Sequence, residues 1–146
     1  MNYHLVILKK PYLDLILAGE KTIELRLTRA TRPTGGRVSV RDRLFLKQSG
    51  GPVCGLATVK DIECHENLTP EQILEIKRRY NGQIRGAAAV WQSLMDRKSG
   101  FLVWLTDVRR IAPVRIDKKD WRAWVVLTEG KDFGLLREYR FSEGNP

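Results

Sequence analysis

"KTIELRLT", residues 21–28, decides the fold. From Thr22 to Thr28 the apolar Ile23, Leu25 and Leu27 alternate strictly with Thr22, Glu24 and Arg26. A period of two is the signature of a strand with two unlike faces. Upstream, "KPYLDLILAG" (10–19) has Leu13, Ile16 and Leu17 at helical spacing. Pro11 suits the first helical turn, where its missing N–H is harmless, and Gly19 suits the C-terminal cap. "YHLVILKK" (3–10) mixes β-branched and apolar residues and reads as another strand. The chain therefore opens β, α, β, with Lys21 where the helix hands over to the second strand.

Downstream, "DRLFLKQS" (42–49) is a third strand, Gly50–Gly51 a turn, and "GPVCGLATVKDIEC" (51–64) a long fourth. Thr69, Pro70 and Gln72 form a capping-box start for a helix that shows Ile73, Ile76 and Tyr80 on one face. Asn81–Gly82 is expected to end it. "GAAAVWQSLMD" (86–96) is a second helical segment and "FLVWLTDVRRI" (101–111) a buried strand. Asp117 is expected to cap a short turn through Trp121, and "WRAWVVL" (121–127) is the last strand. The order β, α, β, β, β, α, α, β, β has too few crossover helices for a doubly wound sheet. It predicts an α+β fold: a small, mostly antiparallel barrel of about six strands with flanking helices. Residues 1–130 are read as the domain and 131–146 as a C-terminal tail. Within the barrel, Ile23, Leu25 and Leu27 are expected to face inward, and Thr22, Glu24 and Arg26 outward to a groove beside the preceding helix.

The chain has 146 residues, 42% of them apolar, which suits one domain with its own core. No apolar run approaches the roughly 20 residues that span a bilayer, and the N-terminus lacks the pattern of a signal peptide. A cytoplasmic protein with reduced Cys54 and Cys64 is expected. The net charge of +9 points to a polyanionic partner. Eight basic residues, Lys21, Arg26, Arg29, Arg32, Arg37, Arg41, Arg43 and Lys47, stand against Glu24 and Asp42 in residues 21–47. The loop 29–43, with Arg29, Arg32 and Arg37, is expected to follow phosphates.

Lys21, Glu24 and Arg26 have two readings. One is a solvated lysine with an exposed ion pair, which contributes about 0–1 kcal/mol. The other is a set converging on a groove. There Lys21 contacts a phosphate or carbonyl, Glu24 accepts from an exocyclic amine, and Arg26 holds a phosphate or locks Glu24. A catalytic version makes Glu24 a base for water and Lys21 the stabiliser of an oxyanion. On sequence proximity alone, Glu24 is expected to keep the Lys21 ammonium charged.

"GEKTIELR" (19–26), after "KPYLDLILA" (10–18), resembles the signature of the ASCH domain family, a relative of the PUA domain. The residues carrying the resemblance are Gly19, Lys21, Glu24 and Arg26. "GLATVKDI" (55–62) and "FLVWLTDVRRI" (101–111) sit where that family has barrel strands. The resemblance implies a PUA-like β-barrel with a cleft beside this turn, and an association with RNA or modified nucleosides. One branch resembles amidohydrolases that cleave N4-acylated cytidine with a lysine, a threonine and a glutamate; another member type is described as a ribonuclease. Lys21 matches the lysine, but Glu24 stands where the threonine falls, and Thr22 is displaced from it.

Further candidates follow from side-chain type. Lys47 runs into a glycine turn, as a fraying strand end or an anion contact. Trp91 and Tyr12 are the aromatic residues expected to line a cleft and stack on a base; Trp104 and Trp124 are expected in the core. His4, His65, Cys54 and Cys64 match no zinc spacing, so no metal and no cofactor are expected. No phosphate-binding glycine loop or nucleophile elbow is present. The reading is an RNA-, nucleotide- or nucleoside-binding domain. A hydrolase using Lys21 and Glu24 in the same cleft, and a protein-interaction module, are the alternatives.

Overall fold

The computed structural model describes residues 1–32, 37–117, 122–128 and 130–136. Its elements follow the expected order: β1 (Tyr3–Leu8), α1 (Lys10–Leu17), β2 (Ile23–Thr28), β3 (Arg43–Gln48), β4 (Val53–His65), α2 (Pro70–Ile84), α3 (Ala88–Ser93), β5 (Ser99–Val114) and β6 (Trp124–Leu127). Trp121 and the turn expected before it lie outside the described residues, as does the tail from 137. None of the described helices is long and apolar enough to cross a membrane.

The local signals explain most boundaries. Pro11 occupies the first turn of α1. Thr69 and Gln72 form the reciprocal capping box that starts α2. The expected stop at Asn81–Gly82 is overridden. The helix continues to Ile84, whose side chain is buried in the core, and Arg85 takes the left-handed capping conformation at φ 62°. Burial of one more isoleucine outweighs the turn preference of the Asn–Gly pair.

The sheet order is β2-β5-β4-β3-β1-β6, with β1–β3 parallel and the other pairs antiparallel. Register shifts along the β4–β5 pair bend these long strands. Gly100 lets β5 approach β2, because a Cβ there would overlap the Arg26 carbonyl oxygen. The sheet curls into a half-barrel whose distant strands meet across its concave side. Phe101 of β5 packs edge-on against Trp124 of β6 at 5.2 Å. Arg26 of β2 donates from Nη2 to the Ile7 carbonyl of β1 at 2.9 Å.

The concave core holds Val6, Leu8, Leu44, Leu46, Ala57, Val59 and Val103, with Leu13 and Ile16 of α1 packed into it. The convex side carries two further cores. One places Ile23 and Leu102 under Ile73, Ile76, Ile84 and Trp91 of α2 and α3. The other joins Tyr3, Leu5, Phe45 and Val125 to Leu135 and Leu136. These placements reverse the expected facing of β2. Ile23, Leu25 and Leu27 lie on the convex side beneath α2 and α3, whereas Glu24 and Arg26 share the face of their cross-strand partners Val103 and Phe101. Two helices covering the outside of β2 make its convex face the drier one.

Candidate functional site

β2 is an edge strand, so one side of its backbone has no neighbouring strand. Two charged side chains occupy that open edge. Lys21 Nζ donates to the carbonyls of Ile23 at 2.8 Å and Ile84 at 2.6 Å. Glu24 Oε1 accepts from the Leu25 N–H at 3.0 Å. A cleft runs along this edge between α1 and α3, lined by Tyr12, Lys21, Glu24, Leu25, Ile84, Gly86, Val90, Trp91 and Leu94. Its accessible volume is about 80 Å³. At roughly 10–15 Å³ for each water, that is space for a small planar group and not for a whole nucleotide.

Lys21 is 3% exposed. Burial pushes its amine below the ordinary lysine value; the Glu24 carboxylate opposes that shift and the Arg26 guanidinium adds to it. Sequence proximity had pointed to a firmly charged ammonium, but desolvation is the larger influence. Glu24 Oε1 lies 3.9 Å from Lys21 Nζ, and Oε2 lies 3.8 Å from Arg26 Nη2. Glu24 Oε2 is buried and has no hydrogen-bond partner among the described residues. Arg26 is outside the cleft lining. Its guanidinium stands behind Glu24, over the Trp124 ring at 5.6 Å.

The two expected aromatic residues do line the cleft. Lys21 Nζ lies 5.6 Å from the Tyr12 ring centroid. Trp91 is 2% exposed and donates its indole N–H to Asn81 Oδ1 at 2.9 Å. The same oxygen accepts from the Gly86 N–H at 2.8 Å, while Asn81 Nδ2 donates to the Gly86 carbonyl at 3.2 Å. Asn81 thus ties the α2–α3 connection to the tryptophan that walls the cleft. Sequence reasoning took Asn81 for a turn residue and missed this role. The available signal was an amide one helical turn before the Gly86 segment, within reach of an indole that needs an acceptor.

The other candidates are dispersed. Thr22 serves through its backbone, donating to Gln83 O at 3.0 Å and accepting from Leu105 N at 2.9 Å. Lys47 is largely buried, lies outside the cleft lining and donates to the Gln48 carbonyl at 3.1 Å. Arg29, Arg32 and Arg37 are exposed, and Arg29 pairs with Asp96 at 2.8 Å. Trp104 packs edge-on against Tyr80 at 5.4 Å. Cys54 and Cys64 are free thiols, and among the described residues no three His, Cys, Asp or Glu side chains group as a metal would require.

The family model of the ASCH domain matches residues 6–130. No curated protein matches the chain. The crystal structure of a Tyr-to-Phe mutant of ZmASCH from Zymomonas mobilis superposes with a TM-score of 0.72 at 14% identity, covering 94% of this chain and 98% of that one. ASCH from the same organism gives 0.72 at 14% identity, covering 93% and 94%. At these identities the likeness is one of fold: an α+β, PUA-like half-barrel.

Proposed function

This chain belongs to the ASCH domain family, and from that premise we propose that it binds RNA or a modified nucleoside, with one base held in the cleft beside β2. The observation that carries this reading is Glu24 Oε2, an acceptor-only oxygen left buried without a partner. Such a group costs about 1–3 kcal/mol in the empty site and regains it from a donor. An exocyclic amine such as cytosine N4 supplies that donor. Leu25, Val90, Leu94, Tyr12 and Trp91 provide apolar and aromatic walls for a flat ring. Lys21 has three N–H donors, two of them spent on carbonyls, which leaves one for a carbonyl or phosphate of the ligand. The exposed Arg29, Arg32 and Arg37 supply phosphate contacts outside the cleft.

Calorimetric titration with cytidine and uridine tests the base assignment. Cytidine is expected to bind at least about tenfold tighter, and Glu24→Gln to remove the preference, consistent with the 1–3 kcal/mol that a good base contact discriminates. Equal binding of the two nucleosides rejects the role of Glu24. Binding of single-stranded RNA is expected to weaken steeply with added salt; a flat response rejects phosphate-led association.

One observation favours a second reading. Burial moves the Lys21 amine toward its neutral form, the state in which it takes up a proton. With Glu24 beside it, the same cleft then serves a hydrolase acting on N4-acylated cytidine or on RNA. Incubation with N4-acetylcytidine and with single-stranded RNA decides between the readings. Turnover abolished in both Lys21→Ala and Glu24→Ala supports catalysis; no turnover of either substrate leaves binding.

A further inference from the structure

We propose that Asp42, His4 and Trp124 form a relay of positioning residues that tethers Arg26 away from Glu24 and so keeps Glu24 Oε2 unpaired. The inference rests on the reading of Glu24 as the base-binding carboxylate. Asp42 and His4 are 1% and 0% exposed, and neither lines the cleft. The Asp42 carboxylate accepts from the Asn2 N–H at 2.9 Å, the Ser39 N–H at 2.9 Å and His4 Nε2 at 2.8 Å. On the other side of the ring, His4 Nδ1 faces the Trp124 indole nitrogen at 3.1 Å.

Indole nitrogen is a donor only, so His4 Nδ1 must carry the lone pair. The imidazole proton then sits on Nε2 and is donated to Asp42. Both neighbours demand the same neutral tautomer, which fixes the ring and through it the plane of Trp124. Burial alone would raise the Asp42 carboxyl, but the Asn2 and Ser39 N–H groups and His4 hold it below the ordinary carboxylate value, so it stays an acceptor.

The Trp124 ring is the floor under the Arg26 guanidinium, 5.6 Å away, and Arg26 Nη2 is tied to the Ile7 carbonyl at 2.9 Å. Held at both points, Arg26 stops 3.8 Å short of Glu24 Oε2, beyond hydrogen-bond length. A guanidinium with a free run to a carboxylate closes on it bidentately. Closure here would satisfy Glu24 Oε2 internally and remove the acceptor that a ligand amine needs. The relay thus keeps two opposite charges close without letting them consume each other.

Nitrogen-15 NMR of the wild-type chain reads the His4 tautomer directly. Protonated Nε2 with bare Nδ1 is expected; the opposite tautomer or an imidazolium at neutral pH overturns the relay. The carbon-13 shift of the Glu24 carboxyl reads closure by Arg26. It is expected to move in Trp124→Ala, to move less in Trp124→Phe, which keeps a ring under Arg26, and to stay in place in Trp104→Phe, a tryptophan outside the relay. Trp124→Phe also serves if Trp124→Ala does not fold. Cytidine affinity is expected to fall about tenfold in Trp124→Ala and to hold in Trp104→Phe. An unmoved Glu24 carboxyl in both folded Trp124 variants overturns the relay even where cytidine binds. If cytidine does not bind the wild-type chain, the base assignment fails, and the Glu24 shift alone upholds or overturns the relay.

Discussion

At the scale of single residues, Lys21 shows how a buried cation is kept tolerable. Its two carbonyl partners replace hydration, and both belong to segments that end at the cleft. Because the native amine is depressed and the unfolded one is ordinary, the unfolded chain holds the proton over a wider range. Stability is therefore expected to rise with pH between the depressed native value and the ordinary lysine value, as the native state sheds a proton that burial disfavours. Urea unfolding across that window checks the slope, with Lys21→Met as the reference for all other groups; a wild-type slope no steeper than that of the variant rejects it. Asn81 is the second decisive residue. Asn81→Ala leaves the buried Trp91 indole N–H without its acceptor and frees Gly86. A loss of about 1–3 kcal/mol is expected from denaturant melts.

At the scale of elements, each helix is governed by its ends. α2 begins at the Thr69–Gln72 box. Thr69→Ala is expected to cost about 1 kcal/mol in a denaturant titration, and a change within a few tenths would assign the start of α2 to packing instead. The other end obeys the core. Ile84 is drawn under β2 and the helix runs past Asn81–Gly82 to reach it. The unpaired edge of β2 is an element-scale problem as well, since such edges invite pairing with other strands. Lys21 and Glu24 answer it by bonding the edge carbonyl and N–H themselves. The same two groups therefore blunt an edge and furnish a cleft.

At the scale of the molecule, the half-barrel is closed by contacts between strands far apart in the sheet: Arg26 to Ile7, and Phe101 to Trp124. Packing also reaches past residue 130. Leu135 is 0% exposed and packs with Leu5, Phe45 and Val125. Leu135→Ala is expected to destabilise by about 2–5 kcal/mol, the range for emptying a buried leucine site. A thermal melt close to that of the wild type would instead make the segment after 130 a dispensable tail.

The sequence by itself determined the order and type of the elements, the strand at Ile23–Thr28, the capping of α2 and the nearness of Tyr12, Lys21 and Glu24 to one another. Those features rest on periodicity, caps and short chain distances, which are local. It did not determine which face of β2 is concave, because alternation separates two faces without saying toward which one the sheet curls. Nor did it reveal that Lys21 is desolvated, that Asn81 serves Trp91 or that Arg26 reaches Ile7. Each of these depends on surfaces brought together from distant parts of the chain, and burial and long-range hydrogen bonds exist only once the sheet has curled and α2 and α3 have packed on its outside.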